Sequence, residues 1–381
     1  MFDRAILHMD LDTFFVSVEY LKNDSLRDKP LIIGGDGGRG VVSTCSYEAR
    51  KYGVHSAMPM KMAKRLCPDA IILRGDMEEY SRYSKLVTEV IADESPSFEK
   101  SSIDEFYIDL TGMDRHFGCY KWSVELTDKI LRETGLPISF GLSVNKLVSK
   151  IGAGEGKPKG RTQIEQGSEK GFLAPLSTNK MPGIGKETYK RLSFMGVRTI
   201  RVLSEIPVKL LEREFGKTGI VLSQHANAID NSPVQPYTEQ KSISTETTLS
   251  QDTLDITRIR AMLSGMTDKL AYELRSSNRL TSCVTVKIRY ADFNTFTKQR
   301  QISYTSGDKA LQATVQDLFE KVYERRQMIR LIGIRFSGLV HGNYQISLFE
   351  DTESDIRLMQ ELDHIRNRWG IKAIARAHTL R

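Results

Sequence analysis

The spacing of apolar residues changes period several times along the chain, and each change predicts an element. Residues 5–12 are almost continuously apolar and close on two acids, Asp10 and Asp12, which predicts a buried strand with a charged end. Phe14, Phe15, Val18 and Leu21 follow at the spacing of a short helix. Residues 23–74 hold no period and are rich in turn formers, so they predict a small insert. A helix over 77–93 comes next, then two strands over 97–110 that meet at Ser101-Ser102-Ile103-Asp104-Glu105. A helix over 120–134 and a strand over 137–144 complete a βαββαβ series. That series predicts a ferredoxin-like sheet with helices on one face, interrupted by the insert after its first strand and helix.

Residues 171–236 predict short helices, with breaks at Pro182-Gly183, Gly196, Pro207 and Gly216. The stretch 231–240 carries two prolines and no periodicity, and predicts a linker. Beyond it lies a second α/β unit. Its helix 255–276 has an apolar stripe at Ile259, Met262, Leu263, Met266 and Leu270. Helix 308–324 has another at Leu311, Val315, Leu318, Phe319 and Val322. Strand 284–290 alternates: Val284, Val286, Ile288 and Tyr290 lie on one side, Thr285, Lys287 and Arg289 on the other. With helices on one face of this sheet, Lys287 and Arg289 are expected on the open face. No repeat of fixed period is present. The fold class expected is α+β with several domains.

Composition narrows the class further. With 40% hydrophobic and 27% charged residues over 381 positions, the chain is expected to form several soluble globular domains. No apolar run approaches the roughly 18 residues that span a membrane. The chain opens on a strand rather than a basic leader and cleavage site, so no secretory signal is expected. Cys45, Cys67, Cys119 and Cys283 are scattered without CxxC spacing, which predicts reduced thiols in a cytoplasm and no structural zinc. The net charge of +7 suits a polyanionic partner. Its excess lies in residues 171–341, away from the acidic motifs.

Those motifs carry the candidate chemistry. Asp10 ends the first strand, and Asp104-Glu105 sit where two others meet; in a ferredoxin-like sheet these strands are neighbours. Phosphoryl transfer needs charge neutralised at the leaving phosphates and at the attacking oxygen. Two Mg²⁺ ions about 3.5–4 Å apart do both, and such ions take hard carboxylate oxygens. A single strand-end acid is more often a solvated turn residue; two acidic motifs in one frame carry the reading. Asp12 is expected to cap the following helix or to support the metal-binding acids. Gly34-Gly35-Asp36 has the look of a nucleotide-cyclase signature, but it falls in the insert and reads as a loop.

At this point the residues match a known pattern. The segment from His8-Met9-Asp10-Leu11-Asp12-Thr13-Phe14-Phe15 to Glu19 resembles the opening motif of Y-family DNA polymerases, in the bacterial DNA polymerase IV (DinB) branch. Val42-Ser43-Thr44-Cys45-Ser46-Tyr47-Glu48-Ala49-Arg50 resembles that family's finger motif, and Ser102-Ile103-Asp104-Glu105-Phe106-Tyr107-Ile108-Asp109 its catalytic motif. Gly141-Leu142-Ser143-Val144-Asn145-Lys146 through Lys157-Pro158 resembles the end of the palm. Ile332-Gly333-Ile334-Arg335-Phe336-Ser337 resembles the last little-finger strand. The resemblance implies a ferredoxin-like palm (1–22 and 75–170), inserted fingers (23–74) and a helix-hairpin-helix thumb (171–236). A linker (237–242), an α/β little finger (243–341) and a tail (342–381) would follow.

It further implies a low-fidelity, template-directed polymerase for translesion synthesis, working on primer-template DNA and deoxynucleoside triphosphates as a monomer. Asp10, Asp104, Glu105 and the Leu11 carbonyl would hold two Mg²⁺ ions. Phe14, Phe15, Ser43, Thr44, Tyr47, Arg50 and Lys157 would bind the incoming nucleotide, with the Phe15 ring as steric gate against a ribose 2′-OH. Arg offers phosphate a planar fork and Lys a point charge. Residues 151–157 depart from the pattern by carrying three glycines, each of which weakens a helix end by roughly 1 kcal/mol. That departure leaves the placement of Lys157 open.

Met181-Pro182-Gly183-Ile184-Gly185-Lys186 reads as the turn of a helix-hairpin-helix. Gly183 and Gly185 would let amides approach a phosphate, and Lys186 and Lys190 would add charge, with no base read. The same residues would also serve as a plain helix–helix turn. Lys287, Arg289, Arg330 and Arg335 are expected to track the DNA backbone. Lys298 and Arg300 share parity with the apolar Phe296 and Ile302, which predicts a bulge nearby. Gln345, Leu348 and Phe349 resemble the peptide by which bacterial polymerases grip a sliding clamp, unless they pack on their own protein. Helix 354–369 has no evident purpose. A non-catalytic, polymerase-shaped recruitment protein is the main alternative; degenerate members of that kind lose the acids, which are all present here.

Overall fold

A computed structural model describes residues 2–95, 97–115, 118–236, 238–324, 326–342 and 352–377. It divides into two compact units, Met1–Thr238 and Glu239–Arg381. In the first, β1 (Ile6–Leu11) and α1 (Phe14–Lys22) precede the insert of β2 (Leu31–Gly34), β3 (Val42–Cys45), α2 (Tyr47–Arg50), α3 (Met60–Leu66) and β4 (Ile71–Leu73). Then follow α4 (Met77–Glu94), β5 (Phe98–Lys100), β6 (Glu105–Asp109), α5 (Cys119–Thr134), β7 (Ile138–Ser143), α6 (Lys146–Gly156) and β8 (Arg161–Gln163). Five short helices close the unit: α7 (Glu169–Leu173), α8 (Lys186–Phe194), α9 (Ile200–Glu205), α10 (Val208–Phe215) and α11 (Lys217–Ala226).

The main sheet has the order β5-β6-β1-β7-β8. Its first four strands have ferredoxin-like topology, and β8 adds a parallel edge beside β7. Leu7, Met9, Leu11, Phe106, Ile108, Phe140 and Leu142 form one face and share a buried core with Tyr80, Val87 and Ile91 of α4 and Leu126 and Ile130 of α5. The opposite face carries His8, Asp10, Glu105 and Tyr107 by strand alternation. A third helix, α6, lies over this second face, so the helices are not all on one side as expected. The insert forms its own sheet, β3-β2-β4, around a small core of Ile32, Val42, Cys45, Ala49 and Met60.

Gly141 explains how α6 comes so near. A Cβ at this position would stand 2.0 Å from the Ser149 carbonyl oxygen and 2.6 Å from the Ala153 amide, both backbone atoms. The contact is sealed by Ser149, whose hydroxyl donates to the Ile6 carbonyl at 2.7 Å. The glycine-rich end of α6 has a similar origin. Cβ atoms at Gly152 and Gly156 would meet Ile164 at 2.5 Å and Thr162 at 2.6 Å, so β8 can close only against bare backbone.

In the second unit, β9 (Ser242–Thr253), α12 (Ile256–Ser276), β10 (Arg279–Tyr290), β11 (Thr295–Thr305), α13 (Asp308–Val322) and β12 (Ile329–His341) form an antiparallel sheet, β11-β10-β12-β9, and two helices. The α12 and α13 stripes bury Leu263, Leu270, Val315 and Phe319 against Val284, Val286, Ile288, Ile334 and Phe336. A last helix, α14 (Thr352–Trp369), belongs to the same unit.

Gly141→Ala forces backbone against backbone where no side chain can yield. It should lower the free energy of unfolding by about 1–3 kcal/mol or more, read from urea unfolding of the variant and the parent side by side. An unchanged midpoint would mean that α6 does not depend on this contact.

Candidate active site

The β1–β6 register makes Asp10 and Glu105 direct Cα partners. Asp104 precedes Glu105 in the turn from β5, and the Leu11 amide donates to the Asp104 carbonyl at 3.1 Å, which ties that turn to β1. Asp10 and Glu105 each hold a lysine. Lys157 Nζ lies 2.5 Å from Asp10 Oδ1, and Lys150 Nζ lies 2.5 Å from Glu105 Oε2. Burial pushes the Asp10 carboxyl up to about 6, against the Lys157 ammonium, with the negative charges of Glu105 and Asp104 adding to the rise. Glu105 is held down to about 2 by the His8 imidazole and the Lys150 ammonium, against burial. His8 stands 3.9 Å away, beyond hydrogen-bond length, so the geometry favours Lys150 as the firmer partner. The His8 ring is buried, neither of its nitrogens has a hydrogen-bond partner, and burial lowers its pKa.

These residues fit divalent cations by the chemistry of their donors: hard oxygens, two on facing residues, one of them a carboxyl whose negative charge is incompletely offset. Among the described residues no three His, Cys, Asp or Glu side chains gather as one metal-binding group. Asp104 is engaged instead by the Ser102 hydroxyl, which donates to Oδ1 at 2.6 Å.

Asp12 does not cap α1. The helix begins at Phe14, and the residue before it, Thr13, is a non-glycine residue in the left-handed region (φ 43°) with no side-chain cap bond. Asp12 is 1% exposed and accepts from the Ser139 hydroxyl at 2.9 Å and the Lys159 amide at 2.7 Å. It therefore anchors the turn that follows Lys157, and supports the site rather than facing it. Lys157 itself lies just past α6, as the C-cap residue.

Phe14 and Phe15 part company at the start of α1. Phe14 is 3% exposed, with its ring in the sheet core. Phe15 is partly buried and stacks on Tyr80, with ring centroids 4.2 Å apart and planes 10° apart. The Tyr80 hydroxyl donates to Glu19 at 2.8 Å. In the insert, Ser43 is exposed and Thr44 half-buried on β3. Arg50 lies over the Tyr47 ring at 5.0 Å. The Tyr47 hydroxyl is buried without a hydrogen-bond partner, and is pushed up to about 12 by burial and the negative charge of Asp12. An unpaired buried donor beside the carboxylates suits an anionic ligand oxygen.

In the helical region, Gly183 takes φ 90°, open only to glycine at little cost. Met181 and Ile184 plug the core, while Gly183, Gly185, Lys186 and Lys190 face solvent. A single 3-10 turn (Thr178–Lys180) stands where the first helix of the hairpin was expected. The start of α8, after Gly185, has no side-chain cap, which leaves its first amides to an anion.

In the second unit, the open sheet face sets Thr285, Arg335 and Ser244 in one row across the strands, and Lys287, Gly333 and Glu246 in the next. Lys287 pairs with Glu246 at 2.7 Å, Arg289 donates to Thr295 at 2.8 Å, and Arg335 is exposed. Arg330 sits at a bulge and lies over Phe293 at 4.5 Å, off the row of the others. Lys298 and Arg300 pair with Val286 and Val284 in unbroken register, on the helix side of the edge strand β11, where Arg300 reaches Asp317 of α13. The register shift lies earlier, between Thr281 and Cys283, so the expected bulge is displaced. Gln345, Leu348 and Phe349 lie outside the described residues.

Sequence reading missed Lys150, His8 and Tyr80. His8 was accessible through its parity with Asp10 on β1. Lys150 had no local signal, since its partner is 45 residues away.

Residues 9–154 match the impB/mucB/samB family, residues 240–348 its C-terminal domain, and residues 179–230 the thumb domain described for DNA polymerase-iota. A DNA polymerase IV of Dehalococcoides mccartyi is 37% identical over 99% of this chain and 98% of its own. DNA polymerase IV 2 of Methanosarcina mazei is 35% identical over 91% of this chain and 96% of its own. Among solved structures, a Y-family DNA polymerase chimera superposes with a TM-score of 0.78 at 26% identity, covering 89% of this chain and all of the chimera. An insertion ternary complex of Dbh DNA polymerase superposes with a TM-score of 0.65 at 25% identity, covering 89% of this chain and 100% of its own.

Asp12→Ala leaves the Ser139 hydroxyl and the Lys159 amide without their buried acceptor. It should cost about 1–3 kcal/mol of folding free energy, measured by chemical denaturation. Parent-like stability would mean that the 157–160 turn is held by other bonds.

Proposed function

This chain belongs to the impB/mucB/samB family of Y-family polymerases and is a DNA-directed DNA polymerase of translesion synthesis; we propose that Asp10, Asp104 and Glu105 are the carboxylates on which its chemistry turns. The observation that carries this reading is the direct pairing of Asp10 with Glu105 across two antiparallel strands. With Asp104 and the Leu11 carbonyl they offer hard oxygens to two Mg²⁺ ions. Such a pair, when bound, activates the attacking primer hydroxyl and neutralises charge on the leaving phosphates. Members of this family depend on divalent metal; the identity and number of the ions here are part of the proposal.

The protein's own groups supply the rest. Lys157, Arg50 and the unpaired Tyr47 hydroxyl hold the triphosphate, and Lys157 can pass from Asp10 to a phosphate oxygen without leaving the site. Ser43 and Thr44 lie on β3, the strand before the Tyr47–Arg50 helix, and flank the same ligand. Phe15, backed by Tyr80, lies beneath the sugar as the steric gate. The amides after Gly183 and Gly185, with Lys186 and Lys190, grip duplex phosphates. Arg335, Lys287 and Arg289 on the open sheet face do the same in the second unit, with Arg330 off their row on the strand of Arg335. Affinity then comes from phosphate contacts and falls with salt.

The domain limits proposed are 1–22 with 75–170 for the palm, 23–74 for the fingers, 171–236 for the thumb and 243–341 for the little finger. A sliding clamp held through Gln345, Leu348 and Phe349 would keep the monomeric enzyme at the primer end by raising its effective concentration there. No described helix is long and apolar enough to cross a membrane. Free cysteines, three of them buried, fit a reducing cytoplasm.

Asp104→Ala and Glu105→Ala should each abolish nucleotide addition in primer extension with Mg²⁺ while primer-template affinity stays near the parent's. Ordinary turnover by either variant would remove that acid from the site. For the gate, Phe15→Ala should admit ribonucleotides in single-nucleotide addition. Parental discrimination in that variant would assign the gate to another residue.

A further inference from the structure

Helix α6 carries Lys146 and Lys150 four residues apart, hence on one face. Both are engaged with the strands beneath. Lys150 Nζ meets Glu105 Oε2 at 2.5 Å. Lys146 Nζ meets both oxygens of Glu99 at 2.7 Å and lies 4.5 Å from the centre of the Tyr107 ring. Glu99 and Tyr107 are Cα partners on β5 and β6, and Glu105 lies two residues before Tyr107 on the same face. Two ion pairs therefore lay α6 along the strands that end at the acids.

The helix has little freedom to shift. Its start is capped by Asn145, which accepts from the Val148 amide at 2.9 Å, and the Leu147 amide donates to Asp230 at 3.0 Å. Its middle is pressed on β7 at Gly141. Lys150 thus comes to Glu105 from a fixed element, whereas Lys157 comes to Asp10 from the turn beyond the helix. Lys150 and Glu105 are only 32% and 21% exposed, so the pair is partly shielded from water.

We propose that Lys150 is the positioning residue for Glu105: its ammonium fixes the rotamer of that carboxylate and offsets its charge so that it can stand beside Asp10. The inference rests on the reading of Glu105 as a metal-binding carboxylate. A glutamate facing an aspartate without a cation would be driven away by repulsion and would spread over several rotamers. An ammonium on a rigid helix removes both tendencies, and can yield to a divalent ion while staying near. The opposite role is also defined physically: a lysine that only competes with the metal for Glu105.

The two roles differ in sign. In the full-length enzyme, Lys150→Met keeps the packing stem and deletes the charge, and Lys150→Arg restores it. Mn²⁺ binding to the enzyme–DNA complex is followed by electron paramagnetic resonance of the free ion, and Mg²⁺ dependence by single-nucleotide addition. Lys150→Met should weaken Mn²⁺ affinity by about 10- to 100-fold and raise the Mg²⁺ concentration needed for addition, with primer-template affinity unchanged and Lys150→Arg largely recovered. Unchanged or tighter Mn²⁺ binding in Lys150→Met overturns the proposal. Should Lys150→Met fold poorly, Lys150→Gln is judged by the same two readouts. Glu105→Gln runs beside them: full activity there would remove the reading of Glu105 itself, whereas an inactive Glu105→Gln with a normal Lys150→Met would remove only the positioning role.

Discussion

Two carboxylates directly opposed on neighbouring strands repel, and partial burial makes each harder to ionise. Asp10 and Glu105 are held in that arrangement by the strand register, so the rest of the site is a set of means to tolerate it. One lysine is delivered to each acid. The outcomes differ: the Asp10 carboxyl stays high, about 6, because burial outweighs its lysine, while Glu105 is drawn down to about 2. Two facing carboxylates with one ammonium apiece are donors of the hard-oxygen kind that a divalent cation takes.

Delivering the two lysines sets demands on distant parts of the first unit. The α6 helix must lie close to the sheet, which requires a bare Cα at Gly141. The turn carrying Lys157 must be held, which falls to the buried carboxylate of Asp12. The opposite face of the same sheet is an ordinary apolar core, and its rigidity is what makes the charged face dependable. Tyr80 links the two regions: it is buried in that core, yet its ring backs Phe15 and its hydroxyl is fixed by Glu19.

The second unit solves a different charge problem. Arg275, 14% exposed, bonds Asp308 at 2.6 Å and takes Asp363 of α14 with two further bonds, at 2.6 and 2.9 Å. Arg376 returns to Asp268 at 2.9 Å and to Asp308 at 3.1 Å. Met359 is buried among these groups. The C-terminal helix is therefore seated on α12 by a shared arginine–aspartate cluster in which each charge has a partner, the condition under which buried charges are tolerated.

Local pattern was enough to determine much of this protein. Alternation and helical spacing found β1, α4, α5, α12 and α13 close to their observed limits, and placed Asp10 and Glu105 at adjoining strand ends, because both depend on neighbours a few residues away. The tertiary structure decided what those residues meet. That Lys150 falls to Glu105 and Asp12 to Ser139 reflects contacts spanning 45 and 127 residues, set by strand register and the height of α6 above the sheet. That Phe14 enters the core while Phe15 faces Tyr80 depends on one left-handed turn at Thr13. That Arg300 goes to Asp317 rather than the open face follows from the side on which the helices pack. Spacing along a chain tells which way a side chain points; only the packing of elements tells what stands there to receive it.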